Sequence, residues 1–299
     1  MQRGAPEVLC IGAVLWDLIG RAEAPMAPGD DRPGRIRRLP GGVAMNAARV
    51  LARFGLTPAL LGAVGDDAAG PELIAAATAE GARADTLITW PGHPTDRYMA
   101  IEDAGGLIAA VADAHTLEAA GAAILAPLAD GRLATPAAPW AGPAVLDGNL
   151  TEALLTELAA SPLLAAADLR LVPASPGKAR RLLPLMRAPR ATLYVNRIEA
   201  GLMLGCGFAG ARDAARALVA AGAARALVTD GAAGAAEARP GATPLTLPAP
   251  QVTIARVTGA GDTFLAAHLA AELRGVPPEA ALQAAITAAA RHVSGEDPA

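Results

Sequence analysis

The sequence predicts an α/β fold: a central, mostly parallel β-sheet flanked by helices, with a small β-sheet lid. Two observations support this prediction. Short apolar runs alternate with alanine-rich helical stretches along most of the chain, as in parallel strands joined by crossover helices. Two segments, about 15–39 and 85–112, interrupt that alternation and predict the lid. We expect one domain over residues 1–299.

Each predicted strand is a short apolar run, and each predicted helix is a longer alanine-rich run. Gly81 and Gly222 follow two of the helices and are expected as C-terminal caps, because glycine readily adopts the left-handed conformation found there. The predicted strands are 8–13, 59–64, 122–125, 144–146, 169–172, 192–195 and 226–229. The predicted helices are 44–54, 68–80, 151–160, 177–183, 198–204, 211–221, 260–274 and 278–293.

The two lid segments differ in character. Residues 15–39 are rich in proline, glycine and charge. Residues 97–101 and 107–111 are apolar runs on either side of a turn at 103–106, which is the pattern of a β-hairpin. Together the segments predict a flap that leaves the main sheet and covers a site.

Composition excludes several classes of protein. A net charge of −4 and a pI of about 5.6 argue against general nucleic-acid binding. No uninterrupted apolar run is long enough to predict a membrane span, and residues 1–7 lack the layout of a signal peptide. Cys10 and Cys206 each lie in an apolar run and are expected as free thiols. These features fit a cytoplasmic protein.

The most informative motif is residues 258–264, with the sequence TGAGDTF. Gly259, Ala260 and Gly261 lead into a predicted helix, so several backbone N–H groups and the positive end of the helix dipole face one point, which favours a phosphate. Asp262 beside them could take a proton from an attacking hydroxyl. The motif predicts phosphoryl transfer to an alcohol; the alternative is a helix cap alone.

Two further features predict contacts to a hydroxyl-rich ligand. Gly41 and Gly42 form a turn that allows a close approach to the backbone, and Asn46 follows one helical turn later. Asp17 comes shortly after the first strand, where ligands bind at the carboxyl edge of parallel sheets. Alone, each of these residues is equally compatible with an ordinary loop or a polar helix position.

The later motifs predict the nucleotide side of the site. Asn196 ends a strand and Glu199 lies in the first turn of the next helix, where the pair could organise water around Mg²⁺. Glu199 could equally serve the helix dipole alone. Thr229 and Gly231 end another strand and could border a nucleotide. The sequence contains no G-x-x-x-x-G-K-[ST] or G-x-G-x-x-G motif, and its histidines lack zinc-ligand spacing.

Taken in order, these motifs resemble those of the ribokinase-like (PfkB-type) carbohydrate kinases over nearly the whole chain. The resemblance implies a ribokinase-like fold with a β-lid, ATP and Mg²⁺ as cofactors, and a small sugar or nucleoside as substrate. It also implies a catalytic base at Asp262 and an anion hole at residues 259–261. By the same resemblance, the sugar is contacted by Asp17, Gly41, Gly42 and Asn46. The nucleotide is contacted by Asn196, Thr229, Gly231, Gly259 and Gly261, and the metal is held through water by Glu199.

Within the family, residues 98–113, 146–150 and 175–179 are most similar to the pseudouridine kinases. That branch implies pseudouridine as substrate and adds Asn149 to the substrate contacts. Ribose, fructose or an N-linked nucleoside are alternative substrates, and a catalytically silent binding protein is an alternative function, favoured by the departures at Arg256 and Val172. The family implies a homodimer through the lid. A monovalent cation is left open, because Arg256 stands where many members have an acid.

Overall fold

The computed structural model describes residues 5–103 and 105–298. The described residues exclude residues 1–4, which belong to the segment without a signal-peptide layout. They also exclude Ala104, which belongs to the predicted hairpin turn. The strands are β1 Val8–Ile11, β2 Leu15–Ala22, β3 Gly34–Gly41, β4 Pro58–Leu61, β5 Ala63–Gly65, β6 Ile88–Trp90, β7 Arg97–Asp103, β8 Gly106–Asp113, β9 Pro143–Asp147, β10 Asp168–Val172, β11 Ala191–Asn196, β12 Arg225–Thr229, β13 Ala235–Ala238 and β14 Leu245–Leu247. The helices are α1 Val43–Arg53, α2 Ala69–Ala79, α3 His115–Ala120, α4 Ala126–Ala129, α5 Glu152–Ala159, α6 Leu183–Met186, α7 Arg197–Leu204, α8 Ala211–Ala220, α9 Ala260–Leu273 and α10 Pro278–Ser294.

The main sheet has the order β14-β13-β12-β11-β10-β9-β1-β4. The strands from β12 to β4 run parallel, and β13 and β14 are added antiparallel at one edge. The carboxyl ends of the parallel strands therefore meet at a single edge, and the loops that follow them lie side by side. The predicted mostly parallel α/β architecture is confirmed.

Helices cover both faces of the main sheet, which explains why its strands are apolar without alternation. In β1, Leu9 and Ile11 belong to one buried cluster, whereas Val8 and Cys10 belong to the cluster on the opposite face. Helix α9 lies in the second cluster, and its residues from Asp262 to Ala271 are all buried. The helix that begins at the glycine motif is thus held in the middle of the molecule.

The smaller sheet has the order β3-β2-β7-β8 and forms the lid, as predicted. Strand β2 pairs parallel with β7, and the other two pairs are antiparallel. The lid leaves the main sheet directly after β1 and returns through β3 into α1. This connection places the base of the lid over the carboxyl edge of the main sheet.

Several predicted elements were wrong or incomplete. Residues 122–125 were predicted as a strand but lie in a 3-10 helix, Gly121–Leu125, because a short apolar run does not distinguish a strand from a buried helical turn. The predicted helix 177–183 is a 3-10 helix, Pro176–Leu182, followed by α6. The predicted strand 59–64 is divided into β4 and β5. Strand β13 was missed because its sequence, AAEA, favours a helix.

Other local predictions are confirmed. Gly81 and Gly222 have φ angles of 97° and 111°, in the region that favours glycine. Cys10 is buried and Cys206 exposed, and both are free thiols.

Over residues 5–103 and 105–298, none of the helices combines the length and apolarity that crossing a membrane requires.

Candidate active site

A cavity of about 710 Å³ opens between the carboxyl edge of the main sheet and the lid. It gathers residues that are far apart in sequence but follow neighbouring strands or begin neighbouring helices. Of the site residues predicted from the sequence, Gly41 alone does not line it. Those that do are Asp17, Gly42, Asn46, Asn149, Asn196, Glu199, Thr229, Gly231, Gly259, Ala260, Gly261 and Asp262.

Asp262 lies in the first turn of α9 with a buried carboxyl group. Asn46 Nδ2 donates a hydrogen bond to Asp262 Oδ2 over 2.9 Å. Burial raises the pKa of Asp262 to about 7, and the hydrogen bond from Asn46 partly opposes that rise. A carboxyl group with this pKa exchanges protons readily near neutral pH, as a general base requires.

Arg49 fixes the orientation of Asn46. Its Nη2 donates to Asn46 Oδ1 over 2.8 Å, so the amide nitrogen of Asn46 must face Asp262. Arg49 lies three residues after Asn46 on α1, on the same helix face. That spacing was a signal that the sequence analysis could have used, but Arg49 was missed.

The turn into α9 leaves backbone donors unused. Gly259 is the N-cap residue, with φ of 86°, and no side chain accepts a hydrogen bond from the first turn. Ala260 N donates to Val257 O, whereas the amides of Gly261 and Asp262 have no acceptor within the helix. Asp262 bonds to Asn46 on another helix, so its side chain does not act as a cap. The geometry favours an anion site over a simple cap.

Asp17 lies in β2 at the base of the lid, next to the glycine turn. A Cβ atom on Gly41 would lie 2.1 Å from Asp17 Oδ2, so only glycine leaves room for this carboxylate. A Cβ on Gly42, whose φ is 89°, would lie 2.3 Å from the carbonyl oxygen of Ala13. Burial raises the pKa of Asp17 to about 6, and the positive charge of Arg49 opposes the rise.

Asn149 is held from two sides. Its backbone amide donates to Asp147 Oδ1 over 2.7 Å, and Lys178 Nζ donates to Asn149 Oδ1 over 2.7 Å. Asp147 Oδ2 also accepts from Ala13 N, which ties β9 to the end of β1. Because Asn149 Oδ1 accepts from Lys178, its Nδ2 remains as a donor for the cavity. Burial lowers the pKa of Lys178. Sequence reasoning assigned no site role to Lys178 or Asp147.

Asn196 and Glu199 form a capping box at the start of α7. Asn196 Oδ1 accepts from Glu199 N over 2.9 Å, and Glu199 Oε2 accepts from Asn196 N over 2.8 Å. Both residues also line the cavity, so the structural role and a ligand role coexist. Burial raises the pKa of Glu199 to about 7.

A divalent ion would find few protein ligands in this cavity. Over the described part of the chain, no group of three or more His, Cys, Asp or Glu side chains could hold a metal ion. Mg²⁺ commonly keeps several waters and is held by one or two carboxylates together with substrate phosphates. Glu199, a single buried carboxyl group beside the cavity, fits that mode of binding.

Thr229 and Gly231 border the far end of the cavity. Thr229 ends β12, and Gly231, with φ of 55°, lies in the turn that follows. Apolar side chains line the same cavity, and three of these are substantially exposed: Val252, Ile254 and Val257. Exposed apolar side chains in the lining of a cavity suit a flat aromatic ring such as a nucleobase.

Comparisons of the sequence with known proteins find related kinases. The model of the pfkB family of carbohydrate kinases matches residues 5–298. The pseudouridine kinase of Escherichia coli (strain K12) is 33% identical over 120 residues, which cover 40% of this chain and 38% of that relative's length.

Solved structures give the same result for the fold. A carbohydrate kinase from Agrobacterium tumefaciens is 29% identical, with a TM-score of 0.76, and the match covers 96% of this chain and 90% of that one. Arabidopsis thaliana ribokinase, complexed with ribose and ATP, is 20% identical with a TM-score of 0.75, covering 99% of this chain and 97% of that one. The likeness to the ribokinase shows a shared fold.

Proposed function

The chain belongs to the pfkB family of carbohydrate kinases, and on that premise we propose that it transfers the γ-phosphate of ATP to the primary hydroxyl of a ribose-bearing substrate. The proposed substrate is pseudouridine and the product pseudouridine 5′-phosphate. The observation that carries the proposal is the position of the Asp262 carboxyl group, which lies beside the unused first-turn amides of α9 in one cavity.

The acceptor lies on the lid side of the cavity. Asp17 accepts hydrogen bonds from neighbouring sugar hydroxyls, Gly42 allows the sugar to approach the backbone, and Asn46 contacts a further hydroxyl. Gly41 acts indirectly, by leaving space for the Asp17 carboxylate. Closure of the lid excludes water and so limits hydrolysis of ATP.

The same side of the cavity offers groups suited to a base. Tyr98 of β7 is paired with Asp17 in β2 and lines the cavity, where its ring can stack on a flat heterocycle. Asn149 Nδ2 and Lys178 can donate to the carbonyl oxygens of a uracil ring. The similarity to the Escherichia coli pseudouridine kinase supports this choice of base.

ATP lies across the anion turn, which comprises residues 259–261. Thr229 and Gly231 border the nucleotide, Asn196 contacts its phosphates, and the unused amides of Gly261 and Asp262 face the γ-phosphate. When bound, Mg²⁺ would neutralise charge on the phosphate oxygens, and Glu199 would hold it through water.

The chemical step is an in-line displacement. The substrate O5′–H transfers its proton to Asp262 as O5′ forms a bond to the γ-phosphorus. The bond from that phosphorus to the β–γ bridging oxygen breaks, and ADP leaves with the electron pair. The backbone amides of Gly261 and Asp262, which have no acceptor among the described residues, and the dipole of α9 stabilise the charge on the transferring group. Asp262 then returns its proton to solvent.

A substrate panel tests the proposed function. Purified protein with ATP and Mg²⁺ is incubated with pseudouridine, uridine, ribose or fructose, and ADP release is measured. We expect the highest kcat/KM with pseudouridine and a product phosphorylated at O5′. A higher kcat/KM for another acceptor would replace the proposed substrate. Ligand-induced thermal stabilisation without ADP release from any acceptor would instead indicate a binding protein.

The raised pKa of Asp262 predicts the pH dependence of activity. The base must be ionised, so kcat/KM for the acceptor should rise about tenfold per pH unit up to a pH of about 7, and then level off. A base with an ordinary carboxyl pKa would already be ionised at about pH 5. The measurement is kcat/KM from about pH 5 to 9, with circular dichroism at each pH to show that the fold persists. A constant kcat/KM over the acidic half of that range would contradict the assignment.

We further propose that two copies of the chain associate through the lid. The face of the lid sheet turned away from the cavity carries exposed apolar side chains on three of its four strands, with Ile36, Met99 and Val111 exposed by 82%, 50% and 68%. An exposed apolar face of this kind is typical of an interface. We expect a dimer in light scattering and a monomer for Ile36→Asp. A monomeric wild-type protein at micromolar concentration would exclude the dimer.

A further inference from the structure

The guanidinium group of Arg256 lies at the C-terminal end of α10. Its Nε donates to the carbonyl oxygen of His292 over 2.9 Å, and its Nη2 donates to that of Glu296 over 3.4 Å. The last carbonyl groups of a helix lack intrahelical donors and carry the negative end of its dipole. Arg256 therefore supplies both hydrogen-bond donors and a positive charge to the end of α10.

Arg256 is connected to the anion turn on both sides. It directly precedes Val257, whose carbonyl oxygen accepts from Ala260 N at the start of α9. On the other side, His292 Nε2–H donates to the carbonyl oxygen of Thr258 over 2.8 Å, and the imidazole ring packs against Gly259. A shift of the Arg256 side chain would therefore reach the amides that face the phosphate.

A monovalent metal ion, which the sequence analysis left open, would need backbone oxygens at this point, as such ions do when they lose water. Five oxygens around Arg256 already accept hydrogen bonds. Val293 O accepts from the amides of Ala255 and Arg256, and Ala255 O accepts from Arg21 Nη1 of the lid. The oxygens of Thr258, His292 and Glu296 accept from His292 and Arg256, as described above.

The local charge is also wrong for a metal ion. Arg49 and Arg53 of α1 lie close enough to act on Arg256, and together with partial burial, the larger cause, they lower its pKa. Asp297 acts in the opposite direction, and it is also paired with Arg53 over 3.5 Å. A metal cation would enter a region that already holds three guanidinium groups. The donor set and the charge do not fit a monovalent cation.

We propose that Arg256 is a positioning residue that replaces a monovalent metal ion: its guanidinium holds the anion turn against α10, and the enzyme does not depend on potassium. The inference rests on the proposed kinase activity for its kinetic readout. Nucleotide binding gives a second readout that does not depend on the identity of the acceptor.

The first experiment compares the wild-type protein in potassium, sodium and tetramethylammonium chloride at equal ionic strength. We expect kcat to change by less than about twofold, because no metal site is available to fill. The affinity for ADP, measured by calorimetry, should be equally insensitive. A saturable activation by potassium, or tighter binding of ADP in potassium alone, would overturn the proposal.

The second experiment replaces the side chain. Arg256→Ala is expected to lower kcat about tenfold and to weaken ADP binding, with KM for the acceptor unchanged, because the turn that holds the phosphate is displaced. The free carbonyl groups should then respond to added potassium or to low, non-denaturing guanidinium, either of which should restore most of the lost kcat. Arg256→Lys, which keeps the positive charge, should show a smaller loss of kcat and of ADP affinity than Arg256→Ala.

Arg291→Ala is the matched control, since it removes an exposed positive charge from the same end of α10 and breaks an ion pair with Glu296 of 3.6 Å. It should leave kcat and ADP affinity unchanged. Wild-type values for Arg256→Ala, a loss that no cation reverses, or an equal loss in Arg291→Ala would each overturn the proposal. If the wild-type protein phosphorylates none of the acceptors, the proposed function is contradicted. The affinity for ADP would still test the role of Arg256.

Discussion

Replacing Asp262 by asparagine is expected to lower kcat by about 10²- to 10⁴-fold, the usual contribution of a positioned general base. The amide side chain cannot take the proton from the attacking hydroxyl, although its oxygen can still accept the hydrogen bond from Asn46. KM for the acceptor should change much less than kcat, because binding depends on other groups. Steady-state kinetics with the preferred acceptor provide the measurement.

Stability separates this effect from misfolding. In the folded state Asp262 has a pKa of about 7, above the value for an unfolded chain. Its protonation therefore contributes to the free energy of unfolding fully below about pH 4, and this contribution is lost as the pH rises through about 7. The uncharged amide of the Asp262→Asn variant avoids that loss, so the variant should unfold at the same or a higher temperature at about pH 8. Glu279→Gln, a neutralised acid in the first turn of α10, is the control. Near-normal turnover by the Asp262→Asn variant would refute the role of the base.

Substituting alanine for Gly261 is expected to reduce kcat/KM for ATP by about 10²- to 10³-fold, comparable to the loss of one donor from an oxyanion hole. Outside the local backbone of α9, none of the described atoms lies within 4 Å of the position of a Cβ on Gly261. The residue lines the cavity, so the methyl group would extend into the space proposed for the phosphate. Because Gly261 has no positive φ and alanine favours helices, the fold should not be weakened.

The control for this variant is Gly210→Ala. Gly210 also begins a helix, α8, and a Cβ there would have the same open surroundings, but the residue lies away from the cavity. We expect Gly210→Ala to have the wild-type kcat/KM for ATP. We also expect Gly261→Ala to have a thermal unfolding midpoint at or above the wild-type value, which would show that its fold is intact. Unimpaired use of ATP by the Gly261→Ala protein would exclude the anion turn as the site of the transferred phosphate.

The sequence was sufficient to predict the main sheet because most of its strands are buried on both faces and are therefore apolar throughout. The same reasoning failed at residues 122–125, where the short apolar run is buried as a helical turn. It also missed β13, whose sequence AAEA favours a helix, and β14, whose alternating sequence LTL is only three residues long. Their strand conformation depends on the pairing of β13 with β12 and of β14 with β13, which local sequence does not encode.

The site could be predicted in part for a related reason. Motifs after strands and at helix starts meet at one edge of a parallel sheet, so the cavity brings Asp17, Asn46 and Asp262 together as expected. Sequence alone could not find Lys178, whose contact with Asn149 depends on the rotamer of a long side chain, and for Arg49 it offered only the three-residue spacing from Asn46 on one helix face. The raised pKa of Asp262 likewise arises from tertiary burial, which the motif does not specify.

The most direct test of the central claim is a crystal structure of the protein with ADP, Mg²⁺, aluminium fluoride and the preferred acceptor. Aluminium fluoride stands in for the transferring phosphoryl group. We predict that it contacts the backbone amides of Gly261 and Asp262 and that a carboxyl oxygen of Asp262 lies about 2.6–3.2 Å from the acceptor hydroxyl. A complex in which the fluoride lies away from this turn, or in which Asp262 turns away from the hydroxyl, would contradict the account.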